Sequence, residues 1–93
     1  MKLNFTVKWD ESKNEWLKAH RGISFEAVAA AIEGGRLLDD VDHPGSNRKH
    51  QRMFVVELDG YACAVPYVVD GRTAFLKTAF RSRNMQKRYL GLT

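Results

Sequence analysis

Ninety-three residues, 44% of them hydrophobic and ten of them aromatic, suffice for one domain around one modest core and are too apolar for a disordered chain. No apolar run approaches the roughly 20 residues of a membrane span, and the opening MKLNFTVKW lacks the apolar core of a secretory signal, so the expectation is a soluble cytoplasmic protein with no membrane partner. The net charge of +4 is unevenly spread, with six basic and no acidic residues from Gly71 onward against five acidic residues and one arginine between Ile23 and Asp42.

In chain order, Leu3 to Trp9 alternates apolar and polar residues and predicts a strand. Asp10 or Ser12 can cap a helix running to about His20, with Trp16 and Leu17 inward and Gly22 ending it. Ser24 caps a second helix in which Phe25, Val28, Ala29 and Ile32 share one face, and Gly34-Gly35 stops it. Arg36 to Val41 reads as a short strand, and the stretch from Asp42 to Lys49 as a loop. Gln51 to Leu58 and Tyr61 to Val69 are strands joined by Asp59-Gly60, a two-residue hairpin signal, and Asp70-Gly71 is a second such signal before a last strand from Arg72 to Phe80. A helix from about Ser82 to Leu90 closes the chain. The expected fold is therefore α+β: a short N-terminal strand, two helices, an antiparallel meander of three to four strands and a short C-terminal helix.

The hairpin signals also set a register. With Leu58 opposite Tyr61 and Val69 opposite Arg72, one sheet face carries Phe54, Val56, Leu58, Tyr61, Cys63, Val65, Tyr67, Leu76 and Phe80, which reads as the core. The other face carries Met53, Val55, Glu57, Ala62, Ala64, Pro66, Phe75, Lys77, Ala79 and Arg81, a shallow floor of small residues with cations beside it. Pro66 has no N–H for the ladder, so an interrupted pairing or a one-residue bulge is expected there. Cys63, the single cysteine, excludes an internal disulfide and reads as a small buried apolar residue.

The basic pole predicts an anionic partner, RNA or DNA ahead of a membrane; a solvated surface or an acidic protein partner fits the same charges. There is no phosphate-binding glycine loop and no nucleophile elbow, and the three histidines, His20, His43 and His50, share no helix face, so neither a metal nor another cofactor is expected. What the residue types suit is phosphodiester cleavage without metal, which needs proton carriers and cations over the developing charge. His20, His50, Glu57 and Tyr89 are the candidate proton carriers. Lys13, Lys18, Arg52, Lys77, Arg81 and Arg83 are candidate charge stabilisers. Arg81 and Arg83 stand where the last strand passes into a helix, a place that suits phosphate.

The run WDESKNEWLKAHRGISFEAV resembles the opening of the BrnT toxin family, through Trp9-Asp10, Lys13-Asn14, Lys18 with His20 and Gly22, and Ser24-Phe25-Glu26. Asp39-Asp40, HQRMFVV and FLKTAFRSRNMQKRYL are similar to that family's acidic strand, Arg-bearing strand and basic terminal helix. Two departures are plain: Arg21 stands between His20 and Gly22, and the last strand ends Thr78-Ala79-Phe80 where the family commonly has Ser-Ala-Arg. The resemblance implies a RelE-like ribonuclease toxin of a bacterial type II pair, acting on RNA free or on the ribosome, with a ribbon-helix-helix antitoxin protein as partner. On that reading His20 carries a proton, Arg52, Lys77 and Arg81 hold the scissile phosphate, and Thr78 orients a neighbour. Lys13, Lys18, His50, Arg83, Lys87 and Arg88 bind the RNA. The rival expectation is a basic domain that docks an acidic protein or nucleic acid without turnover.

Overall fold

A computed structural model describes residues 6–42 and 51–91; the Asp42-to-Lys49 loop beyond its first residue, and with it His43 and His50, lies outside them. Strand β1 (Thr6–Trp9) leads into helix α1 (Glu11–Arg21), then α2 (Phe25–Glu33), β2 (Leu37–Asp42), β3 (Gln51–Leu58), β4 (Tyr61–Asp70), β5 (Thr73–Leu76) and β6 (Phe80–Arg81). A single turn, α3 (Arg83–Met85), continues as a π-helical segment, Gln86–Leu90. The architecture is α+β. Strands β2 to β5 form the antiparallel meander, β1 adds to β5 in parallel at one edge, and β6 pairs with β4. No helix among the described residues is long and apolar enough to cross a membrane.

The local signals act where the sequence places them. Asp10 caps α1 by accepting from the Ser12 N–H, and Ser24 caps α2 by accepting from the Ala27 N–H. Gly22 ends α1 at φ 65°, a backbone geometry that costs an L side chain energy but not glycine. Asp59 and Gly60 both take positive φ, as a two-residue hairpin requires, and Leu58 faces Tyr61.

The helices α1 and α2 cover one sheet face. Leu17, Phe25, Val28 and Ile32 meet Phe54, Val56, Cys63, Val65, Tyr67 and Leu76 there, and each large side chain so withdrawn contributes about 1.5–3 kcal/mol before chain entropy is counted. Burial pushes the Cys63 thiol up from its usual pKa, which keeps it an inert apolar side chain. Trp16 departs from expectation: its side chain is exposed (39%). The inward stripe of α1 runs through Asn14 and Leu17, and an adjacent residue points about 100° away.

The register of the second hairpin differs from the sequence expectation. Asp70 faces Thr73, so the turn is Gly71-Arg72, with Gly71 at φ 60°, and Tyr67 rather than Val65 faces Leu76. A shift of two residues preserves the faces. A shift of one does not, and it occurs at Pro66. The Lys77 N–H donates to the Pro66 carbonyl (2.9 Å), but Pro66 has no N–H to return. Pairing stops at Leu76 and resumes with Phe80 opposite Ala64, so four steps of chain oppose three of β4. Alternation therefore inverts beyond the break. Ala79 enters the core, Phe80 comes out on the other face (38% exposed), and Arg81 turns to the helix side.

The second face is not bare. Ser82 N–H donates to the Ala62 carbonyl, and the buried Gln86 side chain accepts from the Ala62 N–H (2.8 Å), which satisfies the edge of β4 beyond the end of β6. Met53, Val55, Ala62 and Ala64 are buried on this face. At the far end of the terminal helix the Tyr89 hydroxyl donates to Asp39 on β2 (2.6 Å).

Candidate nucleic-acid interface

The break at Pro66 leaves a groove of about 650 Å³ on the second face, between β5 and the start of the terminal helix. Its floor is Met53, Ala64, Pro66 and Val68, and its rim carries Lys77, Thr78, Phe80, Ser82 and Asn84. Among the described residues no acidic side chain lines it. Lys77 is exposed, with its ammonium 5.2 Å from the Phe75 ring and no carboxylate in ion-pair range among the described residues. Asn84 and Met85 pass from this groove into a shallower hollow that adds Lys87 and Arg88. Arg83, Lys87 and Arg88 are all exposed. An anionic polymer lying in the groove would meet Lys77 first and the terminal helix next.

A second set of cations lies on the helix side. Arg81 Nη1 donates to the Arg21 carbonyl (2.8 Å) at the end of α1. Arg21 Nη1 in turn donates to Thr78 Oγ1 (3.2 Å) and to the Ala79 carbonyl (2.8 Å). Arg21, an interruption in the sequence motif, is thus the strut that holds the Lys77–Ala79 break against α1. His20 stacks on Trp16 (4.5 Å between ring centres), and its Nδ1 lies 2.9 Å from the Trp16 carbonyl. A carbonyl only accepts, so Nδ1 carries a proton and donates it there. Lys13 (4.3 Å) and Arg21 (5.0 Å) lie over the same indole. Lys18 pairs with Glu15 and more distantly with Glu26, and the Glu15 hydrogen bond raises its pKa. With Arg36 and Arg81 it borders a cleft that also holds Glu57 and Asp59.

Arg52 stands elsewhere. Its Nε meets Asp40 (3.1 Å), its Nη1 meets Asp42 (2.8 Å), and its Nη2 donates to the Asp40 carbonyl (3.0 Å). The buried Tyr67 hydroxyl donates to the same Asp40 oxygen (2.7 Å), with its ring stacked on Phe54 rather than on the guanidinium. Burial, then the Asp40 carboxylate, hold the Tyr67 phenol protonated far above its ordinary range. For Arg52, burial alone would lower the pKa, but the bond to Tyr67 and the charge of Asp40 outweigh it and raise it. Two carboxylates answer this guanidinium, which makes it a clamp between β2 and β3.

Asp39, by contrast, holds the terminal helix. The Tyr89 hydroxyl first, then the Asp40 N–H, keep its carboxyl below the usual carboxylate range. Tyr89→Phe is expected to cost about 1 kcal/mol of stability at neutral pH, discounted for the exposure of the pair. A depressed folded pKa stabilises above the unfolded value, near 4, and that stability fades as pH falls through the folded value. The gap between wild type and variant should thus narrow in urea melts as the carboxylate range is crossed towards acid.

Of the residues singled out in the sequence, Lys77 and Thr78 share the groove, Lys87 and Arg88 extend it, and Arg83 is exposed on the terminal helix without lining either hollow. Thr78, Arg81 and His20 gather around Arg21 on the other side of the break. Arg52 joins neither group, and Lys13 and Lys18 belong to α1. His50 lies outside the described residues. Phe80, Asn84, Arg21 and Trp16 were not among the residues the sequence assigned to the site. Only the missing N–H of Pro66 could have pointed to Phe80, through the inversion it causes. Among the described residues no three His, Cys, Asp or Glu side chains are grouped to hold a metal. The fold and these surfaces define an α+β domain with a cation-edged groove that no carboxylate of the described residues lines. No family model, curated protein or solved structure matches the chain.

Proposed function

We propose that this protein is a cytoplasmic, RelE-like ribonuclease toxin of a type II toxin–antitoxin pair, which takes single-stranded RNA along the groove edged by Lys77 and the basic terminal helix. The observation that carries the reading is a groove with no carboxylate among the described residues, a cation at its rim and a hollow bearing Lys87 and Arg88 beside it. Such an arrangement favours a phosphate backbone over an acidic or neutral surface ligand. The resemblance to BrnT toxins supplies the rest: RNA cleavage without metal, free or on the ribosome, and a ribbon-helix-helix antitoxin as partner.

A second reading, binding without turnover, is favoured by one specific observation: Arg52, assigned to the scissile phosphate, is occupied by Asp40 and Asp42. Induction of the chain in a bacterial host, with 5′-end mapping of cellular RNA, separates the two. Cleavage predicts growth arrest with recurrent new ends, both weakened at least tenfold by Lys77→Ala. Arrest without new ends supports binding alone, and the absence of any arrest in an antitoxin-free host counts against the toxin reading.

A further inference from the structure

We infer that Phe80 is a base-stacking platform, so that the groove takes an unpaired nucleotide of single-stranded RNA and discriminates against duplex; the inference rests on the RNA reading above. Among the described residues the only exposed large apolar side chains are Trp16 and Phe80. Trp16 is occupied, with His20 stacked on it and Lys13 and Arg21 over its ring. Phe80 has no ring or cation against it among the described residues. The inversion at Pro66 puts it outward beside Ala64, at the rim of the groove.

The surroundings fit a nucleotide better than an apolar peptide. A flat apolar ring beside a shallow floor of Ala64, Pro66 and Met53 leaves room for a planar base, and stacking is tolerant of which base is present. Asn84, exposed and without a hydrogen-bond partner among the described residues, offers an amide donor and acceptor to a base edge. Lys77 supplies one phosphate contact at the rim. A duplex keeps its base faces stacked on each other, so only an unpaired strand can use the ring.

The test uses the full chain and a fluorescent 2′-O-methyl hexanucleotide, which resists cleavage through the 2′ position, together with its abasic analogue and a matched duplex. Wild type should bind the base-bearing strand about tenfold more tightly than the abasic strand or the duplex. Phe80→Ala should remove that preference while leaving the salt dependence unchanged, and Phe80→Trp should keep it. Lys77→Ala should instead lessen the salt dependence by about one contact, with the preference for bases intact. Near-equal binding of base-bearing and abasic strands by wild type overturns the stacking role and leaves the RNA reading standing. So does an unchanged preference in Phe80→Ala, or a Phe80→Ala defect confined to capture of a protein partner. Failure of wild type to bind any of the three strands overturns the stacking role and the action on free RNA together.

Discussion

Asp40→Ala is expected to lower the unfolding free energy by about 2–3 kcal/mol. The side chain takes the Tyr67 hydroxyl and the Arg52 Nε on one oxygen, and Tyr67 is almost wholly buried (1% exposed). Removing the carboxylate strips a buried phenol of its acceptor there and a guanidinium of its main counter-charge. Breaking a fully buried pair costs about 3–5 kcal/mol; the Asp40 and Arg52 side chains are partly exposed (21% and 32%), so a lower figure applies. Urea denaturation gives the loss, and a double-mutant cycle with Arg52→Met should return a coupling of at least about 1 kcal/mol. Additive losses would mean that Asp40 and Arg52 act independently and would reopen Arg52 as a phosphate ligand.

Asn14→Ala is expected to cost about 2–3 kcal/mol, read as a fall of roughly 10–20 °C in the melting temperature of a domain this small. Asn14 is fully buried, and two of its three side-chain bonds reach from α1 to α2. Its amide donates to Glu11 (3.0 Å) and Glu26 (2.8 Å), and its carbonyl accepts from the Phe25 N–H (2.8 Å). That N–H opens α2 and has no acceptor within its own helix. Alanine leaves it buried and unanswered above a small void. Asn14→Asp keeps the acceptor but sets a third carboxylate against Glu11 and Glu26, so it should be at least as damaging near neutral pH and recover part of the loss in acid. A melting temperature unchanged in Asn14→Ala would remove this side chain as the tie between α1 and α2.

Element identity was legible because the signals were short-range. Asp10 and Ser24 cap, Gly22 and Gly34 stop, and Asp59-Gly60 turns, each through chemistry within a few residues. The core face from Phe54 to Tyr67 followed from alternation alone. Trp16 was misread because α1 is narrow: only Asn14 and Leu17 are buried on it, and neighbouring apolar residues cannot both face one sheet. The second hairpin was displaced because Asp70-Gly71 also fits a turn that begins at Gly71. The candidate site suffered most. Pro66 marked the place of the break, but its sign, an extra residue on the partner side, depends on how the Lys77–Ala79 segment packs against Arg21. Arg52 kept an apparent freedom in the sequence because its partners, Asp40 and Asp42, come from another strand across a loop.

The tripeptide between β5 and β6 also works as a spacer of fixed length. Shortened by one residue, the chain would resume its ladder in phase, and the aromatic and the guanidinium that follow would trade sides of the molecule. Composition and charge would hardly change, yet the groove would lose its apolar wall and the end of α1 the guanidinium that bonds its last carbonyl. Relatives of this fold are thus better compared by counting residues between Leu76 and Phe80 than by matching the side chains themselves.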